Sequence, residues 1–238
     1  MKTLGDFIED LSFGPLAGLA IGSEGTGVIP TSKIPRVVSL TNSGMRRLHS
    51  RYILSEKSVV IQCIGGKETY PLLVKHSIMT GDAADDRFIL DTYEEPFKED
   101  VIKIVKGFTP ASDGKTMIEL PLNDEGKANS VFTPSNREVQ LPNSEEGDLY
   151  AFTYQAHHED LVPDDMDQKI RIPDSLNMAL ETWVASKIFG SMNGAEHRAR
   201  SMELMSFYEI ICNETTSKDL ANTSLITTTS KLENRGFV

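Results

Sequence analysis

Hydrophobic positions fall into three regimes along the chain. Leu4, Phe7, Ile8 and Leu11 recur at steps of three and four, the spacing of one buried helical stripe, and predict a short helix over 3–11. Thr3 stands at its N-cap position, with Asp6 three residues on, where a first-turn acid meets the positive helix end. From Gly18 to Pro30, with Gly22, Gly25 and Gly27, glycine is too dense for a helix and predicts a loop. Ile34, Val37, Val38, Thr41, Met45, Leu48 and Tyr52 then restore helical spacing over 32–53, with Ser32 as cap and Pro35 in the first turn.

In the middle of the chain the period changes to two. Val59, Ile61 and Cys63 alternate with Val60 and Gln62, Gly65-Gly66 follows, and Lys67 to Leu73 reads as a returning strand. That pattern predicts a two-residue hairpin. Val101 to Val105, then Lys115 to Leu122 after an Asp113-Gly114 turn, Ser130 to Phe132, Val139 to Leu141 and Leu149 to Ala156 extend the set. Tyr150, Phe152 and Tyr154 share one face of the last strand. These runs predict an antiparallel β domain.

Helical spacing returns after Pro163. Pro173 opens a helix with Asp174 in its first turn; Leu176, Ala179, Leu180, Trp183, Val184 and Ile188 form its core stripe, and Gly190 stops it. Asn193-Gly194-Ala195-Glu196 has capping-box spacing for a second helix, whose buried face is read as Ala195, Ala199, Met202, Met205, Tyr208 and Cys212. Each helix is predicted at roughly 27–30 Å, and the short connection makes them an antiparallel hairpin. From Asn213 the pattern dissolves. Six threonines, three serines and three asparagines surround isolated Leu220, Leu225, Ile226, Leu232 and Phe237, a composition suited to lying extended along a partner. The predicted fold class is α+β. An antiparallel helical bundle is built from 1–56 and 161–212, an antiparallel β domain is inserted at 57–160, and 213–238 form an extended C-terminal tail.

Charge changes the picture in one place. The 238 residues carry 24 basic and 35 acidic side chains, a net charge of −11, which argues against a surface that tracks phosphate throughout. Yet Arg36, Arg46, Arg47 and Arg51 crowd into one helix, which reads either as a solvated face or, more sharply, as a basic face that meets an acidic partner surface or nucleic acid. Glu181, Glu196, Glu203 and Glu209 lie off the apolar stripes of the C-terminal helices. They are the expected partners across a contact between copies, Glu196 and Glu203 foremost. Cys63 and Cys212 are far apart and read as small buried hydrophobes in a reduced compartment, and Trp183 reads as core. No run of 18 apolar residues and no apolar leader core is present, so no membrane partner is expected and a cytoplasm-like compartment is predicted.

Candidate chemistry is sparse. Gly22-Ser23-Glu24-Gly25-Thr26-Gly27 lacks the Lys-Ser/Thr ending of a phosphate loop and carries a repelling Glu24. There is no Gly-x-Ser-x-Gly elbow. His157-His158-Glu159-Asp160 is the best metal candidate and would underlie a small hydrolase or binding module, but adjacent strand histidines point to opposite faces. The acidic clusters Asp82 to Asp86 and Asp164 to Asp167 lack the central Gly and terminal Glu of a calcium loop. No catalytic residue, cofactor or metal ligand is predicted.

Two parts of the chain carry a resemblance. The first comprises Leu11-Ser12-Phe13-Gly14-Pro15-Leu16, Glu24-Gly25-Thr26-Gly27 and Leu48-His49-Ser50-Arg51-Tyr52. The second runs from Ile172-Pro173-Asp174-Ser175-Leu176 through Trp183-Val184-Ala185 and Asn193-Gly194 to the Met202–Tyr208 helix. Together they resemble the head–tail adaptor, or connector, proteins of tailed bacteriophages. The segments Val101-Ile102-Lys103-Ile104, Leu122-Asn123-Asp124, Ser130-Val131-Phe132 and Tyr154-Gln155-Ala156 look like the β insertion of some members. The resemblance implies a non-enzymatic structural protein of the virion neck, assembled in the host cytoplasm as a homo-oligomeric ring, a dodecamer in that family. It implies contacts with the portal through the C-terminal extension and with tail or nozzle proteins elsewhere. It also implies a channel that DNA crosses without sequence-specific binding. A tail-tube or nozzle subunit is the alternative within structural proteins.

Overall fold

A computed structural model describes residues 2–17, 19, 28–81, 86–111 and 116–221. The expectations for the loop around Gly22, Gly25 and Gly27, for Asp82 to Asp85, for the Asp113-Gly114 turn and for Leu225, Ile226, Leu232 and Phe237 lie outside the described residues. The fold is α+β with antiparallel sheets. The chain divides into a helical unit, Met1–Leu54 with His158–Thr223, and a β unit spanning Ser55–His157. Among the described residues no helix is long and apolar enough to cross a membrane.

In the helical unit, α1 (Leu4–Phe13) begins as the sequence predicts. Thr3 Oγ1 accepts from the Asp6 N–H, and the Asp6 carboxylate accepts from the Thr3 N–H. The next orphan donors are taken by a distant segment: the Leu4 and Gly5 N–H groups bond the Gln168 and Met166 carbonyls at 2.9 Å each. The acidic run Asp164 to Asp167 thus belongs to a loop that closes the start of α1. Helix α2 (Ile34–Arg51) follows a short 3₁₀ turn, Thr31–Lys33. Pro35 lies in its first turn as predicted, but Ser32 does not cap it; Lys33 holds the N-cap place without a side-chain bond.

Helix α3 (Asn177–Gly190) is the centre of this unit and packs against α1, α2 and α4 (Ala195–Ser217). The predicted stripe is too narrow a description. Thr182, Ala185, Ser186 and Phe189 are buried together with Leu180, Trp183, Val184 and Ile188, so almost the whole circumference is covered. A helix hydrophobic on all sides can only be the inner one. Gly44 lets α2 approach it. A Cβ built there falls 2.6 Å from Leu180 Cδ1 and 2.6 Å from Trp183 Cδ1.

Helix α4 corrects three expectations. Its N-cap is Gly194, at φ 121° and without a capping side chain, so the Asn193–Glu196 box is absent. Its buried residues are Leu204, Tyr208, Cys212 and Thr215; Ala195, Ala199 and Met202 are exposed. It also runs 23 residues, five past Cys212, where an extended tail was expected. The extra turn is held from outside: Tyr52 donates from its hydroxyl to the Cys212 carbonyl at 2.7 Å, and Thr216 donates to the Tyr52 hydroxyl at 3.3 Å. The helix closes in a left-handed turn. Asp219 sits at φ 53°, the Leu220 N–H bonds Thr215 O at 3.0 Å, and the Asp219 N–H bonds Thr216 O at 3.2 Å. Pairs such as Ser186 with Ser201 and Trp183 with Tyr208 show that α3 and α4 run antiparallel.

Among the described residues of the β unit, eight strands form two sheets. The strands are β1 (Glu56–Gln62), β2 (Thr69–Pro71), β3 (Ile89–Leu90), β4 (Val101–Pro110), β5 (Met117–Leu120), β6 (Phe132–Ser135), β7 (Glu138–Gln140) and β8 (Leu149–Ala156). Five form one sheet in the order β3-β1-β8-β4-β5 and three another in the order β2-β7-β6. All these pairings are antiparallel. Both sheets contribute to one core, with Ile61, Phe88, Phe152 and Tyr154 meeting Tyr70 and Val139. The predicted Gly65-Gly66 hairpin is corrected. β1 pairs with β3 and β8, whereas β2 pairs with β7 in the other sheet. Gly66, at φ 77°, makes a turn, and the Tyr70 hydroxyl beneath it donates to the Lys67 carbonyl at 2.7 Å and accepts from the Ile64 N–H at 3.1 Å. The turn therefore moves the chain between sheets.

Two register shifts rephase β4, so Val101, Ile104 and Gly107 are all buried although they stand three apart. Gly107 accommodates the Phe152 ring, whose Cε1 would lie 3.0 Å from a Cβ. The first and last strands of the unit lie side by side, Glu56 opposite Gln155, and the Ala156 N–H donates to Ser55 O at 2.8 Å. The chain therefore enters and leaves the β unit at one place, the geometry an inserted domain needs.

Candidate functional site

The four arginines of α2 do not form an open basic face. One Arg46 nitrogen donates to both Asp160 carboxylate oxygens, at 2.9 and 2.6 Å. Arg47 and Arg51, one helical turn apart, share the two oxygens of Glu209 on α4 at 3.2 and 2.7 Å, and Arg51 also donates to Asn213 Oδ1 at 2.7 Å. Arg36 donates to the Ser191 hydroxyl at 2.6 Å, beside the α3–α4 connection. Glu209, expected across a contact between copies, is thus taken within the same chain. Glu181 is likewise bound by Lys2 at 3.0 Å. The bond to Arg51, reinforced by Arg47, holds the Glu209 carboxyl below its usual range.

Aromatic rings lie beneath these charges. The Arg47 guanidinium carbon is 4.8 Å from the Trp183 ring centroid and 5.5 Å from that of Tyr208, and Lys187 Nζ is 4.3 Å from Trp183. Burial above all pushes the Tyr208 hydroxyl up to about 12, so it stays protonated. Trp183 is core, as predicted, with cations laid over its ring. This seam between α2 and α4 is a clamp, and its arginines already meet carboxylates, which leaves little for phosphate.

The metal candidate is dismantled by its own contacts. The Arg171 N–H donates to His158 Nε2 at 3.1 Å, so Nδ1 carries the proton and donates to the Glu159 carbonyl. Both ring nitrogens are occupied, and burial lowers the pKa of the imidazole, favouring this neutral form. Asp160 belongs to Arg46. Among the described residues no group of three His, Cys, Asp or Glu side chains is placed to hold a metal. Cys63 and Cys212 are both free and buried.

What remains exposed is the outer face of α4. Glu196 and Glu203 both lie there, Glu203 accepting from Arg200 at 2.7 Å within the helix. With them stand Met202 at 72% exposure, Phe207 at 49% and Ile210 at 53%. Leu220, the one described member of the tail set, is exposed just past the helix end. Sequence reasoning missed Phe207 and Ile210. The signal was available, because they lie off the Leu204–Tyr208–Cys212 stripe while remaining large and apolar. No family model matches the chain, and no curated protein matches it.

Proposed function

We propose that the chain is a non-enzymatic structural protein of a phage neck, a head–tail adaptor. In this reading its helical unit is an antiparallel bundle that packs side by side into a ring between portal and tail and continues the DNA channel. The observation that carries the reading is the insertion geometry. One helical core is built from both ends of the sequence, and a complete two-sheet domain enters and leaves through paired strands at Ser55 and Ala156. That is the organisation the resemblance implies. The long α4, with large apolar side chains on its surface, is what an assembling subunit presents. Leu220, Leu225, Ile226, Leu232 and Phe237 then supply the portal contact, and Glu196 and Glu203 take part in contacts between copies.

The test is co-expression with the portal protein of the same genome, followed by mass measurement and imaging of the complex. The expected result is a ring of copies seated on the portal, lost on truncation after Ala221. A genome without a portal gene, or a chain that joins only a tail-tube assembly, overturns the reading.

A further inference from the structure

The exposed face of α4 carries a second, independent pattern. Glu196, Arg200, Glu203, Phe207, Ile210 and Glu214 follow steps of four and three, and Lys218 stands one turn beyond; every one of them is exposed. Steps of four and three make a seam fit for a partner helix. The buried stripe Leu204–Tyr208–Cys212–Thr215 lies roughly a third of the way round the helix from it, so this seam flanks the chain's own core and is additional to it.

The charges along the seam are complementary to themselves when reversed. A two-fold axis at Phe207 sets Arg200 of one copy against Glu214 of a second, and Glu196 against Lys218. Each such contact occurs twice, around a Phe207–Phe207 centre flanked by Ile210. A parallel, in-register pairing would instead face Glu196, Arg200, Glu203 and Glu214 with their own like charges. The present partners of these groups are local and weak: Arg200 with Glu203 at 2.7 Å and Lys218 with Glu214 at 3.8 Å, all largely exposed. They can be re-paired at little cost.

We infer that α4 is a self-recognition surface, through which two copies of the isolated chain join antiparallel about Phe207. The contact is isologous and closes at two copies, so a ring that uses Glu196 and Glu203 between copies has to replace it. It does not rest on the adaptor reading.

The experiment is sedimentation of the full chain over a range of concentrations, with three variants. The native chain is expected to be a dimer that dissociates on dilution. Phe207→Glu is expected to be monomeric with an unchanged circular dichroism spectrum and melting temperature, since Phe207 is half exposed. Arg200→Glu should weaken the dimer roughly tenfold, about 1.4 kcal/mol, and Arg200→Glu with Glu214→Arg should restore it. A chain that is monomeric at every concentration overturns the inference. So does an oligomer indifferent to Phe207→Glu, or a double variant no tighter than Arg200→Glu alone.

Discussion

The two units solve the problem of buried backbone differently. A helix satisfies its own interior N–H and C=O groups, so the helical unit can spend polar side chains on ties between distant segments. Arg51 to Glu209, Tyr52 to Cys212, Lys2 to Glu181 and Asn42 to the Leu161 backbone all join the N-terminal part to the C-terminal part. The β unit uses its carboxylates on its own loops. Asp91 accepts from the Ser77 hydroxyl and from the Met79 and Phe97 N–H groups, and Asp100 accepts from the Tyr154 hydroxyl and Lys57. Strands bond only to neighbouring strands, so the segments between them need such acceptors. In the helical unit side-chain polarity mainly joins the two ends of its sequence; in the β unit Asp91 spends its carboxylate on loop backbone, and Asp100 ties neighbouring strands.

The sharpest way to break this comparison is at the centre of each unit. Leu180→Ala empties a fully buried place beside Gly44 and should cost about 2–5 kcal/mol. Trp183 is the single tryptophan, so its fluorescence during denaturant unfolding reports the helical unit directly. A loss below about 1 kcal/mol would mean that α3 is not the organising helix. In the β unit, Asp91→Ala strands the Phe97 N–H group, leaves the Met79 N–H with Ser77 Oγ alone, and should cost about 1–3 kcal/mol. Faster amide exchange at these two residues would localise the effect; unchanged exchange would remove Asp91 from its role.

Gly44→Ala sets two effects against each other. Alanine favours a helix by about 1 kcal/mol, but its methyl meets the Trp183 ring, and overpacking costs about 1–3 kcal/mol. The expected sign is a modest destabilisation, measured by the same fluorescence transition, and Gly44→Leu should be worse.

The smallest effects are those of pH. Burial lowers the folded-state pKa of His158 below its ordinary value of 6.5, so the unfolded state binds the proton more readily. The stability of its neutral contact with Arg171 is therefore present above pH 6.5 and declines as pH falls below it. His158→Asn should flatten the stability curve in that window. Glu209 acts lower: its pKa is held below 4.5, so its contribution is present above pH 4.5 and lost as pH falls through the folded value. Its side chain is 41% exposed, so Glu209→Gln should cost no more than about 1 kcal/mol at neutral pH. A native unfolding curve that is flat from pH 7 to about pH 5 would remove His158 from the pH account.

Much of the element pattern was legible because it rests on local physics. The Thr3 cap with Asp6 in the first turn, Pro35 in a first turn, the strand at Leu149–Ala156 and the buried cysteines all depend on residues close in sequence. The phase of α4 was not, since Ala195, Ala199 and Met202 sit as readily on a surface as in a core, and only Leu204 with Tyr208 and Cys212 marks the true stripe. Nor did Gly65-Gly66 say which sheet would receive the next strand, because a turn sets a direction and not a pairing partner.

The sequence by itself therefore determined an acidic α+β chain with helical ends and a β middle, and placed Trp183 in the core. Tertiary structure decided that α3 is covered around almost its whole circumference, that α4 continues to Ser217, and that Arg47 and Arg51 close on Glu209. Periodicity reports which side of an element avoids water. It carries no information about which charge, more than 150 positions away in the chain, will stand opposite another.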